Sequence, residues 1–191
     1  MYYLLDTQDA NFPCRWLEDE PYIEGVNFRL GKKITKPVPT PLQYTLEPLD
    51  ELATDSGPEM PAIFVENTVL FRDDFIAALL EAGVNNFDPY EVEIHDPDNG
   101  QIYRNYKAIN ILGIVSAADM TKSDATVHDN VALFDVDFDG LVLDQEKTMG
   151  IELFRLAEAN TAILIHERVK NFLIEKGFTH VSFGDLSTVA L

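Results

Sequence analysis

The chain of 191 residues sets 33 acidic against 14 basic side chains, a formal net charge of -19, yet 46% of it is hydrophobic, with 12 Phe and 7 Tyr. That apolar content excludes a disordered polymer, and the surplus of carboxylates repels phosphate backbones and anionic lipid heads, which argues against nucleic-acid or membrane partners and favours a basic protein. A single cysteine, Cys14, excludes an internal disulfide and a thiol-rich zinc site, and no run approaches the roughly 20 apolar residues of a membrane helix.

With no basic, apolar leader at Met1 to Asp6, the expectation is a cytoplasmic protein folded as a single domain over residues 1–191. Residues 1–30 read as an N-terminal piece with strand-like segments at Tyr2 to Asp6 and Gly25 to Leu30. Residues 31–61 contain Gly31, Pro37, Pro39, Pro41, Pro48, Gly57, Pro58 and Pro61, a spacing that forbids helix. They read as a long Pro-rich connector with one short edge strand at Gln43 to Leu46.

The main strand-helix body spans 62–191. Ala62 to Val65 is a short apolar run of buried-strand type, followed by an amphipathic helix burying Phe75, Ile76, Leu79 and Leu80 and stopped by Gly83. Gln101 to Ala117, rich in β-branched residues, predicts strands, as do Leu133 to Leu143 and Ile151 to Leu156. Ala162 to Ile165 then leads into a helix burying Val169, Phe172 and Leu173 with Gly177 as its stop, and His180 to Phe183 closes the series as a strand. The sum is an α+β fold, a mixed β-sheet with two or three helices packed on it. The two strand-helix units share a Glu-x-Gly ending but differ in spacing from strand to glycine, so common strand-helix grammar explains the likeness as well as a duplication does.

Charge is spread unevenly. No Lys or Arg falls between Arg72 and Arg104, a stretch that holds Glu91, Glu93, Asp96 and Asp98, and none between Lys122 and Lys147, which holds Asp135, Asp137 and Asp139. Folded onto one side, these seven carboxylates form a face able to steer a cation-rich partner, and they are the candidate partner-binding residues. Trp16 and Tyr22, beside Glu18, Asp19 and Glu20, offer a second aromatic-acidic patch, although a core position is the default for Trp16.

Residues 135–146 satisfy the calcium-loop pattern, with Asp135, Asp137, Asp139, Gly140 and Glu146 in the required places. That loop needs flanking helices, whereas Phe134, Val136 and Phe138 alternate with the carboxylates at the period of a strand, and Asp139-Gly140 reads as its hairpin turn. The acidic-faced hairpin is therefore the first reading and a calcium-binding module the alternative. No nucleophile elbow, phosphate loop or paired zinc histidines are present, so neither catalytic residue nor cofactor is expected; a hydrolase using acidic residues ranks last. His166 reads as the start of the last helix, and His95, His128 and His180 are scattered.

The run from Tyr106 to Asp119, with Leu141 to Asp144, Gly150 to Leu156 and Ala162 to Lys170, resembles the eleventh immunity family of bacterial polymorphic-toxin systems, formerly a domain of unknown function. The likeness covers roughly residues 61–183 and consists of strand and helix blocks, not a chemical signature. It implies a cytoplasmic protein that binds and neutralises a cognate toxin in the producing cell, and it carries over no catalytic residue. A basic toxin surface would gain a steered encounter from the acidity already noted.

Overall fold

The computed structural model describes residues 1–7, 12–50, 53–54, 56–128 and 136–191. In chain order it contains β1 (Tyr2–Asp6), β2 (Leu17–Asp19), β3 (Leu42–Leu46), β4 (Ile63–Phe64), β5 (Val69–Arg72) and helix α1 (Asp73–Glu81). Then come β6 (Phe87–His95), β7 (Ile102–Tyr103), β8 (Tyr106–Ile111), β9 (Ile114–Val115), β10 (Ala125–Val127) and β11 (Val136–Phe138). β12 (Leu153–Leu156), β13 (Ile163–His166), helix α2 (Glu167–Glu175) and β14 (Ser182–Asp185) complete the chain.

Two sheets dominate. The larger runs β2-β3-β6-β8-β5-β4, with β7 also pairing β6; the second runs β14-β1-β13-β12-β9; β10 and β11 form a separate ribbon. Strand alternation assigns each face. Ile63, Val69, Phe71, Ile109 and Ile111 of the larger sheet meet Leu5, Leu153, Ile163 and Ile165 of the second, with Phe75, Leu79, Val169 and Leu173 of the helices between them. On the far side of the larger sheet, Phe64, Leu70, Tyr106 and Ala108 pack with Leu17, Phe28 and Leu42. On the far side of the second, Phe154 and Leu164 pack with Val136, Phe138, Leu141 and Leu186. Both sheets are thus covered on both faces, which explains why their strands read as short continuous apolar runs.

The mixed sheet and helices agree with the α+β expectation, with two helices among the described residues. Residues 31–61 do not form a connector. β3 lies inside the sheet, antiparallel to β2 and parallel to β6, and Leu42, Tyr44 and Leu46 are buried. The prolines flank that strand, where a missing N–H costs no ladder bond. Gly25 to Leu30 is a succession of turns, not a strand, with Gly25 at φ 71°. Asp139-Gly140 is not a hairpin turn, because β11 pairs backwards with β10 and the connection lies upstream, at 128–135.

The two strand-helix units match more closely than sequence spacing suggests. The strand equivalent to β13 is β5, which enters α1 directly, just as β13 enters α2; both strands span four residues and both helices nine. Each helix ends alike: Val84 N–H donates to Leu79 O and Phe178 N–H to Leu173 O, around Gly83 at φ 87° and Gly177 at φ 97°. Only glycine adopts that left-handed turn without strain, so both stops are fixed by it. The helices pack on each other through Leu79, Val169 and Leu173, and Lys176 reaches Glu81 at 2.6 Å.

Candidate functional site

The candidate carboxylates of the first basic-free stretch lie on β6 and the turn that follows, and their charge is largely neutralised by cations from elsewhere. Glu91 faces Lys107 across the β6–β8 ladder at 3.3 Å, and Glu93 takes Arg104 at 2.9 Å. Hydrogen bonds from Gln43 and then Arg104 hold the Glu93 carboxyl below its ordinary range. Asp96 is buried and builds the β6–β7 turn, accepting from Asp98 N–H at 3.0 Å and from Asn99 Nδ2 at 3.0 Å. Arg15, only 3% exposed, donates to Asp96 at 3.2 Å, to Asp98 at 2.6 Å and to the Glu47 carbonyl at 2.9 Å. The Arg15 hydrogen bond holds Asp98 below the usual carboxylate range. Asp96 therefore presents no carboxylate to a partner; it clamps the N-terminal segment to the turn.

Of the second stretch, Asp135 lies outside the described residues. Asp137 and Asp139 are exposed, with Asp137 on His128 at 2.8 Å. Val136–Phe138 is strand paired with β10, and Glu146 sits in a turn capped by Asp144 at 3.1 Å, so this part of the calcium pattern is extended backbone without a flanking helix pair. Among the described residues no group of three or more His, Cys, Asp or Glu is placed to hold a metal. His166 caps α2, its Nδ1 accepting from Arg168 N–H at 3.2 Å.

Uncompensated acid collects elsewhere, along β2. Among the described residues this strand ends the larger sheet, so one side of its backbone has no ladder partner there. Three adjoining concavities follow it: one of about 450 Å³ between Trp16, Glu47 and Glu66, one of about 280 Å³ between Glu18, Asp19, Glu20 and Glu66, and one of about 370 Å³ between Glu20, Arg29 and Tyr44. Shared residues Leu17 and Glu66, then Glu20 and Asn67, join them into one groove. Among the described residues no Lys or Arg comes within ion-pair distance of Glu18, Asp19, Glu20, Glu47 or Glu66.

The consequence is visible in protonation. Burial pushes the Glu20 carboxyl up, against a hydrogen bond from Thr68 N–H at 2.9 Å. Burial also raises Glu66, helped by the like charges of Glu20, Asp6 and Glu47. Trp16 is half-buried at one end, and Tyr22, 89% exposed, stands at the other.

No family model matches the chain, and no curated protein matches it. Sequence reading singled out Trp16, Glu18, Asp19, Glu20 and Tyr22 as a patch but missed Glu47, Glu66, Arg29 and Tyr44. Those arrive from β3, from the β4–β5 hairpin and from the turns before β3, and nothing local in the sequence signals that they converge. Chemically the groove offers fixed negative charge beside an open strand edge. Among the described residues it holds no arranged nucleophile and base.

Proposed function

We propose that this chain is an immunity protein that captures a basic toxin domain along the β2 groove and neutralises it in the cytoplasm of the producing cell. The observation that carries the reading is the row of carboxylates at Glu18, Asp19, Glu20, Glu47 and Glu66, none of which has a Lys or Arg within ion-pair distance among the described residues; only the more distant charge of Arg29 acts on Glu20, and Glu20 and Glu66 are raised in pKa. Like charges crowded beside a strand edge cost stability, and a cationic partner would relieve that cost. Trp16 and Tyr22 supply the aromatic anchors that dominate interface energetics. The exposed Glu91, Asp137 and Asp139 extend the attractive field. Nucleic acid and membrane are disfavoured as partners by the same charge.

The resemblance in strand and helix blocks supplies the class of partner, because those blocks form the shared scaffold while the groove lies mostly before them in sequence. The test is to read the neighbouring reading frames for a toxin-like C-terminal domain and co-express it with this chain, together with the association rate at rising salt. Rescue of growth and an on-rate that falls steeply between 0.1 M and 1 M salt are expected, since the Debye length shrinks from about 10 Å to about 3 Å over that range. Absence of rescue would sink the toxin reading, and a salt-independent on-rate the electrostatic one.

A further inference from the structure

The cations of this chain are as unevenly placed as its acids. From Pro21 to Leu46 the sequence holds one acid, Glu24, and four bases, Arg29, Lys32, Lys33 and Lys36. Arg29 is engaged, its Nε donating to the Asn67 carbonyl at 3.2 Å and its charge acting on Glu20. The three lysines are not. All are exposed, and among the described residues no Asp or Glu comes within ion-pair distance of any of them. Elsewhere the exposed lysines Lys122, Lys147 and Lys176 each hold a carboxylate, at 2.7, 3.6 and 2.6 Å. With 33 acids available to 14 bases, pairing is the default, and three neighbouring lysines kept free of it create a local field opposite to that of the whole molecule.

These lysines border a cleft of about 200 Å³ whose apolar floor is Val26, Leu30 and Ile34. Val26 and Ile34 are half-buried against the outer core of the larger sheet, and Leu30 is 43% exposed. The loop that carries them is tied to the sheets at two points. Asn110, buried on β8, donates from Nδ2 to the Lys32 carbonyl at 2.9 Å, and Gly113 N–H donates to the Gly31 carbonyl at 2.9 Å. Lys36 is placed as well, since its Nζ occupies the space that a Cβ on Gly25 would take, and Gly25 stands at φ 71°. A cationic rim over an apolar floor complements an apolar side chain flanked by carboxylates; a bare phosphate would use the rim and leave the floor wet. Val26 and Asn27 also line the concavity of Glu20 and Arg29, so the lysine cleft continues the groove along β2 with the opposite charge.

We propose that the cleft of the 25–36 loop takes an acidic segment of the captured protein, with one apolar side chain on Val26, Leu30 and Ile34 and its flanking carboxylates on Lys32, Lys33 and Lys36. The identity of that partner rests on the capture reading, whereas the chemistry of the cleft does not. A protein that is basic along β2 and acidic beyond Asn27 meets this chain in one register only, a discrimination that net charge alone cannot make.

The experiment titrates the whole chain, at about 0.1 M salt, with the peptide N-acetyl-Glu-Glu-Leu-Glu-Glu amide, followed by amide NMR shifts. Its controls are the same peptide with Gln for Glu, the same peptide with Ala for Leu, and inorganic phosphate. Saturable binding is expected, with shifts at Gly25, Leu30 and Lys32 to Lys36 and about ten-fold preference over the Gln peptide, the sum of three exposed ion pairs. Loss of the leucine should weaken binding about three-fold or more. The triple variant Lys32→Gln, Lys33→Gln, Lys36→Gln should remove the preference, while Lys122→Gln, Lys147→Gln, Lys176→Gln, which changes net charge equally, should keep it. Equal binding of the Gln peptide, equal losses in the two triple variants, or phosphate displacing a peptide that does not need its leucine would each overturn the proposal. The two readings separate: toxin capture untouched by the loop triple variant removes the proposal alone, whereas lysine-dependent peptide binding without capture of any basic toxin removes the capture reading alone.

Discussion

Two acidic regions of this molecule carry similar charge and do opposite things with it. On β6 and in the turn after it, the carboxylates of Glu93 and Asp98 are held low by hydrogen bonds from Gln43, Arg104 and Arg15. In the groove along β2, Glu20 is pushed up by burial, and Glu66 by burial and by the like charges of Glu20, Asp6 and Glu47. A carboxylate satisfied inside its own chain is part of the scaffold, while one kept short of cations is available to another molecule. Net charge cannot tell these apart; only the partners can.

The largest effect should come from breaking the scaffold side. Arg15 and Asp96 are 3% and 5% exposed; removing Arg15 leaves Asp96 as a buried, unpaired charge, whereas removing Asp96 leaves Arg15 with Asp98 at 2.6 Å. Arg15→Met is expected to lower stability by about 3–5 kcal/mol in urea unfolding, because the loss includes the desolvation of the orphaned Asp96, and Asp96→Asn by less, because Arg15 keeps Asp98. An Arg15→Met loss below about 1 kcal/mol would show that the clamp is dispensable and that the turn belongs with the groove.

Smaller and opposite in sign is the effect of neutralising the groove. A carboxyl whose folded pKa is raised contributes stability that is complete below its unfolded value, near 4.5, and is lost as pH rises through its folded value. The double variant Glu20→Gln, Glu66→Gln should therefore be more stable than the parent at pH 7, by no more than about 1 kcal/mol given the exposure of Glu66. That gain should vanish as pH falls to about 4. Glu93 and Asp98 run the other way: their folded values are depressed, so what they contribute is present at neutral pH and is lost on acidification below their ordinary range. Thermal melts of parent and double variant across pH 4–7 check the sign, and a double variant less stable than the parent at pH 7 would place the groove with the turn.

How much of this was legible in the sequence depends on how local each signal is. β1, both helices and both glycine stops were readable because a strand run, a helical period or a positive-φ residue is contained in a few neighbours. β6 escaped although Val92 and Ile94 alternate with Glu91, Glu93 and His95, because Pro89 and the crowd of acids are poor strand formers that mask the alternation. β5 escaped because Val69 to Arg72 runs straight into α1, and without it the two strand-helix units could not be matched. The pairing of Arg15 with Asp96 joins positions 81 apart, and the groove assembles Glu20, Glu47 and Glu66 from three segments. Runs of acid were visible in the sequence, but which of them would be neutralised depended on where Arg15, Arg104 and Lys107 landed.

The smallest expected effect tests the boundary between the two regions. Glu91 lies on β6 directly opposite Lys107 of β8, and Lys107 Nζ is 3.3 Å from it but 3.0 Å from Asp73. Glu91 is well exposed and Lys107 is not, so the lysine needs an anion more than the glutamate needs a cation. With Asp73 still in place, Glu91→Gln leaves no buried charge alone, and the cost is that of one exposed cross-strand pair, under about 0.5 kcal/mol. Melting should move by less than about 2 °C. Toxin association should slow only by the loss of one unit of long-range attraction, and less than with Glu66→Gln in the groove. Should Glu91→Gln slow association more than Glu66→Gln does, the contact face is the β6 edge after all, and the unpartnered acids along β2 serve only to keep that terminal strand from pairing with a second copy.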